Sequence, residues 1–190
     1  MTAAAKRERF ELLYEELYES IAGYVLRRAA NREDAAEAIA ETFTTLWRRL
    51  DSCPAGEAAR PWLYGVARRV LSNQRRGERR RNALAERLTS ELEPSEAAPV
   101  VASGSDDRVA RVFAALNEPD REILALIAWE GLTREELAVA LGASRAVVRL
   151  RLHRARRRFE AALEHETGAE PAPAPARIRL PEGGERRECA

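Results

Sequence analysis

The chain of 190 residues contains two cysteines, two histidines and one methionine, and aromatic residues make up only 6% of it. Cys53 and Cys189 stand far apart, one in a predicted loop and one near the last residue, so neither metal-ligand spacing nor a disulfide framework is present. His153 sits within an arginine-rich stretch, where contact with a phosphate or a base suits it better than proton transfer. There is no glycine-rich phosphate loop, no nucleophile elbow and no pair of carboxylates in a predicted cleft. The expectation is a protein with no catalytic residues, no metal and no cofactor. No apolar run approaches the ~20 residues needed to span a bilayer, and the first residues enter an amphipathic helix without an apolar signal core. A cytoplasmic protein without membrane insertion follows as an expectation.

Helix formers fill the space that aromatic and β-branched residues leave. The chain is 45% hydrophobic and 33% charged, rich in alanine, leucine, glutamate and arginine, which is an all-α composition. Its net charge is only +1, but the charge is segregated. Residues 8–41 are rich in carboxylates, whereas 68–81 and 145–158 are strongly basic. A polyanion would bind the basic segments and be repelled by the acidic one.

Helical periodicity divides the chain into two small domains. Phe10, Leu13, Tyr14, Leu17, Ile21 and Val25 trace one face of a helix predicted to end near Ala30. A second helix carries Ile39, Phe43, Leu46, Trp47 and Leu50, and a third opens at Pro61 after a loop over 51–60. Together they make a three-helix domain over 8–81. The apolar period fails over 82–105, where Pro, Ser, Gly and acids read as a flexible linker. A four-helix domain over 106–164 follows, with Asp106 or Asp107 and then Pro119 at its first helix starts. The Pro/Ala-rich residues 165–190 read as a disordered tail.

Two stretches carry chemistry on these helices. Glu130–Phe159, EGLTREELAVALGASRAVVRLRLHRARRRF, reads as a helix-turn-helix. Thr133 and Glu136 form a capping box, Gly142 suits a left-handed C-cap, and Ser144 caps the second helix. Val148, Leu152, Ala155 and Phe159 mark that helix's buried stripe, and rotation by about 100° per residue turns Ala146, Arg149, Leu150, His153 and Arg157 outward. Such a helix fits a B-DNA major groove. The second stretch, 60–81, sets Trp62 and Tyr64 at the start of a helix whose exposed side is predicted to carry Arg68, Arg69, Gln74, Arg75 and Arg76. Rings beside arginines suit unpaired bases and their backbone, although Trp62 taken alone reads first as a core anchor, since aromatics at helix starts usually pack inward. Asp34, Glu37 and Glu41 give an acidic strip that fits either a partner helix or solvent.

These stretches resemble a known family, the bacterial RNA polymerase sigma factors of the sigma-70 type, in the extracytoplasmic-function (ECF) group. DAAEAIAETFTTLWRRL at Asp34–Leu50 resembles region 2.2, ARPWLYGVARRVLSNQRR at Ala59–Arg76 resembles regions 2.3 and 2.4, and the helix-turn-helix resembles region 4.2. The resemblance implies docking of Asp34, Glu37, Glu41, Thr42 and Trp47 on the β′ clamp helices of core polymerase, with the β flap as a further contact. It implies −10 recognition and strand opening by Arg60, Trp62, Tyr64, Arg68, Arg69, Asn73 and Arg76. Reading of the −35 duplex would fall to Ser144, Arg145, Ala146, Arg149, Leu150 and His153, with Arg151 and Arg154 on phosphates. Promoter DNA, duplex and single-stranded, and an anti-sigma factor are then the implied partners. Ala40, Glu37, Arg69, Asn73, Val147 and Leu150 depart from the family's common residues. Without the resemblance, a stand-alone helix-turn-helix regulator of duplex operators and a helical protein adaptor remain rival readings.

Overall fold

The computed structural model describes residues 2–88 and 107–168. Seven α-helices account for nearly all of them: α1 Ala3–Leu26, α2 Arg32–Arg48, α3 Ala59–Leu88, α4 Asp107–Ala115, α5 Glu118–Ala128, α6 Arg134–Leu141 and α7 Arg145–Gly168. Two single turns of 3-10 helix, Leu50–Ser52 and Gly56–Ala58, bridge α2 and α3. No strand occurs among the described residues.

Side-chain caps fix where most of the helices begin. Asn31 and Asn117 act alike at α2 and α5. Each accepts the backbone N–H of the aspartate three residues on, at 2.8 and 2.9 Å, and donates its amide to that aspartate's carboxylate at 2.7 Å. Each cap satisfies donors that a helix start otherwise leaves unpaired, worth about 1 kcal/mol apiece. Helix α1 stops at Leu26, short of the expected Ala30, because the chain bends at once toward the Asn31 cap. Helix α3 begins at Ala59 rather than Pro61. Proline still lies in the first turn, where its missing N–H leaves no hydrogen bond unmade.

Two further boundaries move outward. Helix α3 continues to Leu88, so the first seven residues of the expected linker are helical. Asn82–Leu88 is built mainly of strong helix formers, so the helix runs on where the apolar period fails. Helix α7 likewise passes residue 164 to Gly168. Residues 89–105, the rest of the linker, together with Asp106 and 169–190, most of the tail, lie outside the described residues.

Helices α1–α3 form one lobe and α4–α7 the other, but the two share a core. Leu17, Ile21, Tyr24, Leu46, Leu63 and Tyr64 of the first lobe belong to the same buried cluster as Ile123, Leu126, Leu137, Val148 and Leu152 of the second. The junction is α3 against α6. Gly65 faces the backbone of Ala140 so closely that a Cβ there would meet the Ala140 carbonyl oxygen at 2.8 Å. Periodicity along one helix reveals that it has an apolar face, not which neighbour covers it, which is why separate cores were expected.

Candidate nucleic-acid interface

The helix-turn-helix takes the form its residues dictate. Thr133 Oγ1 accepts the N–H of Glu136 at 3.2 Å, and Glu136 Oε2 accepts the N–H of Thr133 at 2.8 Å, closing the capping box. Gly142 adopts φ 59° and ψ 40°, a left-handed conformation that costs a side chain with a Cβ about 1 kcal/mol. Ser144 Oγ then accepts the N–H of Val147 at 3.3 Å and starts α7. Val148, Leu152 and Ala155 are buried and Phe159 half-buried, so the expected stripe faces the core. Burying each large member of the stripe contributes about 1.5–3 kcal/mol. Ser144, Arg145, Ala146, Arg149, Leu150, Arg151, His153 and Arg154 are all exposed. Arg158, also exposed, is tethered to Asp120 of α5 at 2.5 Å. The first three turns of α7 thus present a broad, uncovered basic face.

The residues expected at the −10 element lie differently. Arg69, Asn73 and Arg76 are exposed on α3, and Arg76 donates to Asn73 Oδ1 at 2.6 Å. Trp62 is half-buried against the core. Tyr64 is buried between the lobes, edge-on to Tyr24 with ring centroids 5.2 Å apart. Its hydroxyl donates to Glu130 Oε2 at 3.4 Å. Arg60 donates to the Glu130 carbonyl oxygen and lies 3.5 Å from the Glu136 carboxylate. Arg68, Gln74 and Arg75, expected on the open side of the helix, are half-buried instead. Gln74 turns back to the Asp34 carbonyl at 3.3 Å, and Arg75 pairs with Glu118 while donating to the Arg28 carbonyl at 2.9 Å. Gln74 is thus held against α2 of its own lobe, and Arg75 is the one that reaches across to the second lobe through Glu118.

Around Glu130 lies a polar network that sequence reading missed. Glu130 is 6% exposed and receives Arg27 through both carboxylate oxygens, at 2.9 and 2.8 Å, with Arg28 3.3 Å away. Glu122 accepts the Tyr24 hydroxyl at 2.6 Å and Arg28 Nε at 2.9 Å. Burial and the Glu122 carboxylate push the Tyr24 phenol well above its usual pKa, and burial with Glu130 raises that of Tyr64. Burial pulls the Arg28 guanidinium down, yet Glu122, Tyr24 and Glu130 leave it raised on balance. The Arg27–Arg28 pair at the end of a helix was the one visible hint of an anion partner.

On α2, Glu37 and Glu41 are exposed and, with Arg69, Asn73 and Gln74 of α3, line a shallow groove between the two helices. Asp34 is held by the Asn31 cap. Trp47 is 41% exposed, its ring edge-on to Phe10 at 5.3 Å, with Lys6 Nζ 5.1 Å above it. Thr42 is fully buried and donates to the Ala38 carbonyl at 2.6 Å, so it shapes α2 from within and offers a partner no surface. Among the described residues no cluster of His, Cys, Asp or Glu could hold a metal ion, and no helix is long and apolar enough to cross a membrane.

An uncovered basic recognition helix in one lobe and an arginine-rich helix in the other define a two-lobed, all-helical DNA-binding protein. Comparison with known families narrows the class. Sigma-70 region 2 matches residues 13–81, and Sigma-70, region 4 matches residues 106–159. The ECF RNA polymerase sigma factor SigL of Mycobacterium tuberculosis is 28% identical over 167 residues, covering 85% of this chain and 93% of SigL. The RNA polymerase sigma factor NccH of Alcaligenes xylosoxydans xylosoxydans is 30% identical over 139 residues, 69% of this chain and 74% of NccH. The sigma factor RpoE of Bartonella quintana, solved in complex with the anti-sigma factor NepR, has the same fold, with a TM-score of 0.63 at 21% identity over 83% of this chain and 98% of RpoE. The chain belongs to the sigma-70 family of RNA polymerase sigma factors, in its ECF group. It is a transcription initiation factor that directs polymerase to promoters. The match of the first lobe to region 2 leaves a stand-alone operator-binding regulator unfavoured.

Proposed function

We propose that the chain is a non-catalytic, cytoplasmic specificity subunit whose lobes divide the promoter between them. The α7 face reads the −35 duplex. Ser144, Arg145, Ala146, Arg149, Leu150 and His153 face the base edges, and Arg151 and Arg154 hold phosphates. On α3 the exposed Arg69, Asn73 and Arg76 serve the −10 element and its opened strand, joined by Arg60, Trp62, Tyr64 and Arg68 where the second lobe no longer covers them. The exposed α2 residues Glu37, Glu41 and Trp47, with the half-buried Asp34, dock on the β′ clamp helices, and the second lobe meets the β flap. An anti-sigma factor is a further partner, as NepR is for the Bartonella RpoE.

The observation that carries this reading is the clean separation on α7 of a buried apolar stripe from an arginine face with nothing packed on it. Run-off transcription with purified core polymerase tests it. The protein should bind core and support initiation from its own promoter. Tight binding to duplex DNA alone, with no binding to core, would sink it.

A further inference from the structure

Among the described residues, the ion pairs between the lobes run one way: arginines of the first lobe meet carboxylates of the second. Arg27 and Arg28 meet Glu130, Arg28 also meets Glu122, Arg60 meets Glu136, and Arg75 meets Glu118. Arg27 and Arg28 lie just past the C-terminal end of α1, and Arg60 and Arg75 along the covered side of α3. Glu118 and Glu122 of α5, Glu130 of the turn after it and Glu136 of α6 present to them what a row of phosphates would, anionic oxygens at hydrogen-bond distance. The match is incomplete. Arg28 Nη2 and Arg68 Nε are buried without a hydrogen-bond partner, although buried guanidinium nitrogens nearly always have one.

We infer that Arg27 and Arg28 extend the −10 surface as a phosphate-binding site for single-stranded promoter DNA. In the form seen here, Glu122 and Glu130 of the second lobe occupy that site. The inference rests on the sigma-factor reading and adds two arginines from the turn after α1, which lie outside the region 2.3 and 2.4 stretch. Continuity supports DNA as the occupant, because Arg60 and Arg68 belong both to the −10 set and to the covered face. DNA and the second lobe therefore compete for the same cations. The free protein binds the strand weakly because only the open fraction is competent, and a minor state of 1–10% lowers apparent affinity by about 10- to 100-fold.

Fluorescence anisotropy of the full-length chain with a short single-stranded −10 oligonucleotide tests this, read beside its radius of gyration by X-ray scattering. Glu122→Gln/Glu130→Gln should enlarge the radius and raise affinity by about tenfold or more. Glu135→Gln/Glu160→Gln makes the same charge change at exposed positions and should alter neither. Adding Arg27→Ala/Arg28→Ala to the opened variant should then lower affinity and flatten the log–log salt slope by about 1.4, roughly 0.7 per lost phosphate contact. An opened variant that binds no better than the parent overturns the masking. An unchanged salt slope after Arg27 and Arg28 are removed overturns the site. Run-off transcription with core, measured in parallel, tells either failure apart from failure of the sigma-factor reading.

Discussion

Gly65 of α3 and Ala140 of α6 meet backbone to backbone: a Cβ at residue 65 would lie 2.8 Å from the Ala140 carbonyl oxygen. Neither atom is the movable end of a long side chain, so Gly65→Ala can be accommodated only by shifting one helix against the other. Alanine raises the helix propensity of α3 by about 1 kcal/mol, while overpacking a close contact costs about 1–3 kcal/mol. The net expectation is a lobe junction loosened by up to about 2 kcal/mol with both lobes still helical. X-ray scattering should show a larger particle at unchanged far-ultraviolet circular dichroism. A more stable variant of unchanged size would show that the close approach does not hold the lobes together.

Arg149 stands on the exposed face of α7, one residue past the buried Val148 and uncovered by any other element. If it reads a base, Arg149→Ala should cost about 1–3 kcal/mol on the cognate −35 duplex and relax preference at one base pair. Electrophoretic or anisotropy competition with single-base variants of the element checks this. An equal loss on every sequence, with a flatter salt dependence, would make Arg149 a phosphate contact instead.

How much of this was legible beforehand depended on the range of the forces involved. The helix-turn-helix could be read residue by residue because its determinants are local: the Thr133–Glu136 box, the positive φ of Gly142 and the three- to four-residue stripe of α7 all act within one or two turns. Tyr64 and Arg60 looked like an open aromatic-basic surface because their local pattern is that of one. Their covering is non-local, set by Glu130 and Glu136 some seventy residues on. Thr42 was placed on the docking face by resemblance alone, and three of its helical neighbours, Ala38, Phe43 and Leu46, are buried with it. Arg27 and Arg28 carried only a charge signal, which a solvated helix end would give as well.

The acidic docking surface can be separated from DNA binding. Glu41 is exposed beside the groove toward α3 and Trp47 half-exposed beside α1, on two flanks of α2, while the recognition face of α7 lies in the other lobe. Glu41→Lys and Trp47→Ala should each weaken core polymerase binding, Trp47 more, since the few interface residues that cost about 2 kcal/mol or more on truncation are enriched in tryptophan. Duplex −35 binding by the free protein should stay within about 0.5 kcal/mol of the parent, as expected of distant, independent sites. Pull-down with core, followed by anisotropy with −35 duplex, measures the two separately. A parallel loss in both would mean that the substitutions damage the fold rather than a docking surface.

The lobe junction should also respond to alkali, through Tyr24. Its hydroxyl donates to Glu122 at 2.6 Å in a buried setting, beside Arg28 and near Arg68, and its pKa is raised well above 10.0. A phenol harder to ionise folded than unfolded binds its proton more tightly in the native state. The stability it contributes is therefore complete below the unfolded pKa of about 10 and is lost as pH rises from there toward the folded value. Ionisation would place a phenolate against the Glu122 carboxylate and destabilise the contact between α1 and α5. Tyr24→Phe removes the phenol and its hydrogen bond, so it should lower stability at neutral pH by about 1.5–3 kcal/mol, as for a bond to a charged group. The same variant should flatten the fall in stability above pH ~10 relative to the parent. Chemical denaturation as a function of pH, alongside phenolate absorbance, measures both effects. A parent and variant that lose stability in parallel above pH ~10 would mean that Tyr24 is not the group through which alkali opens the junction.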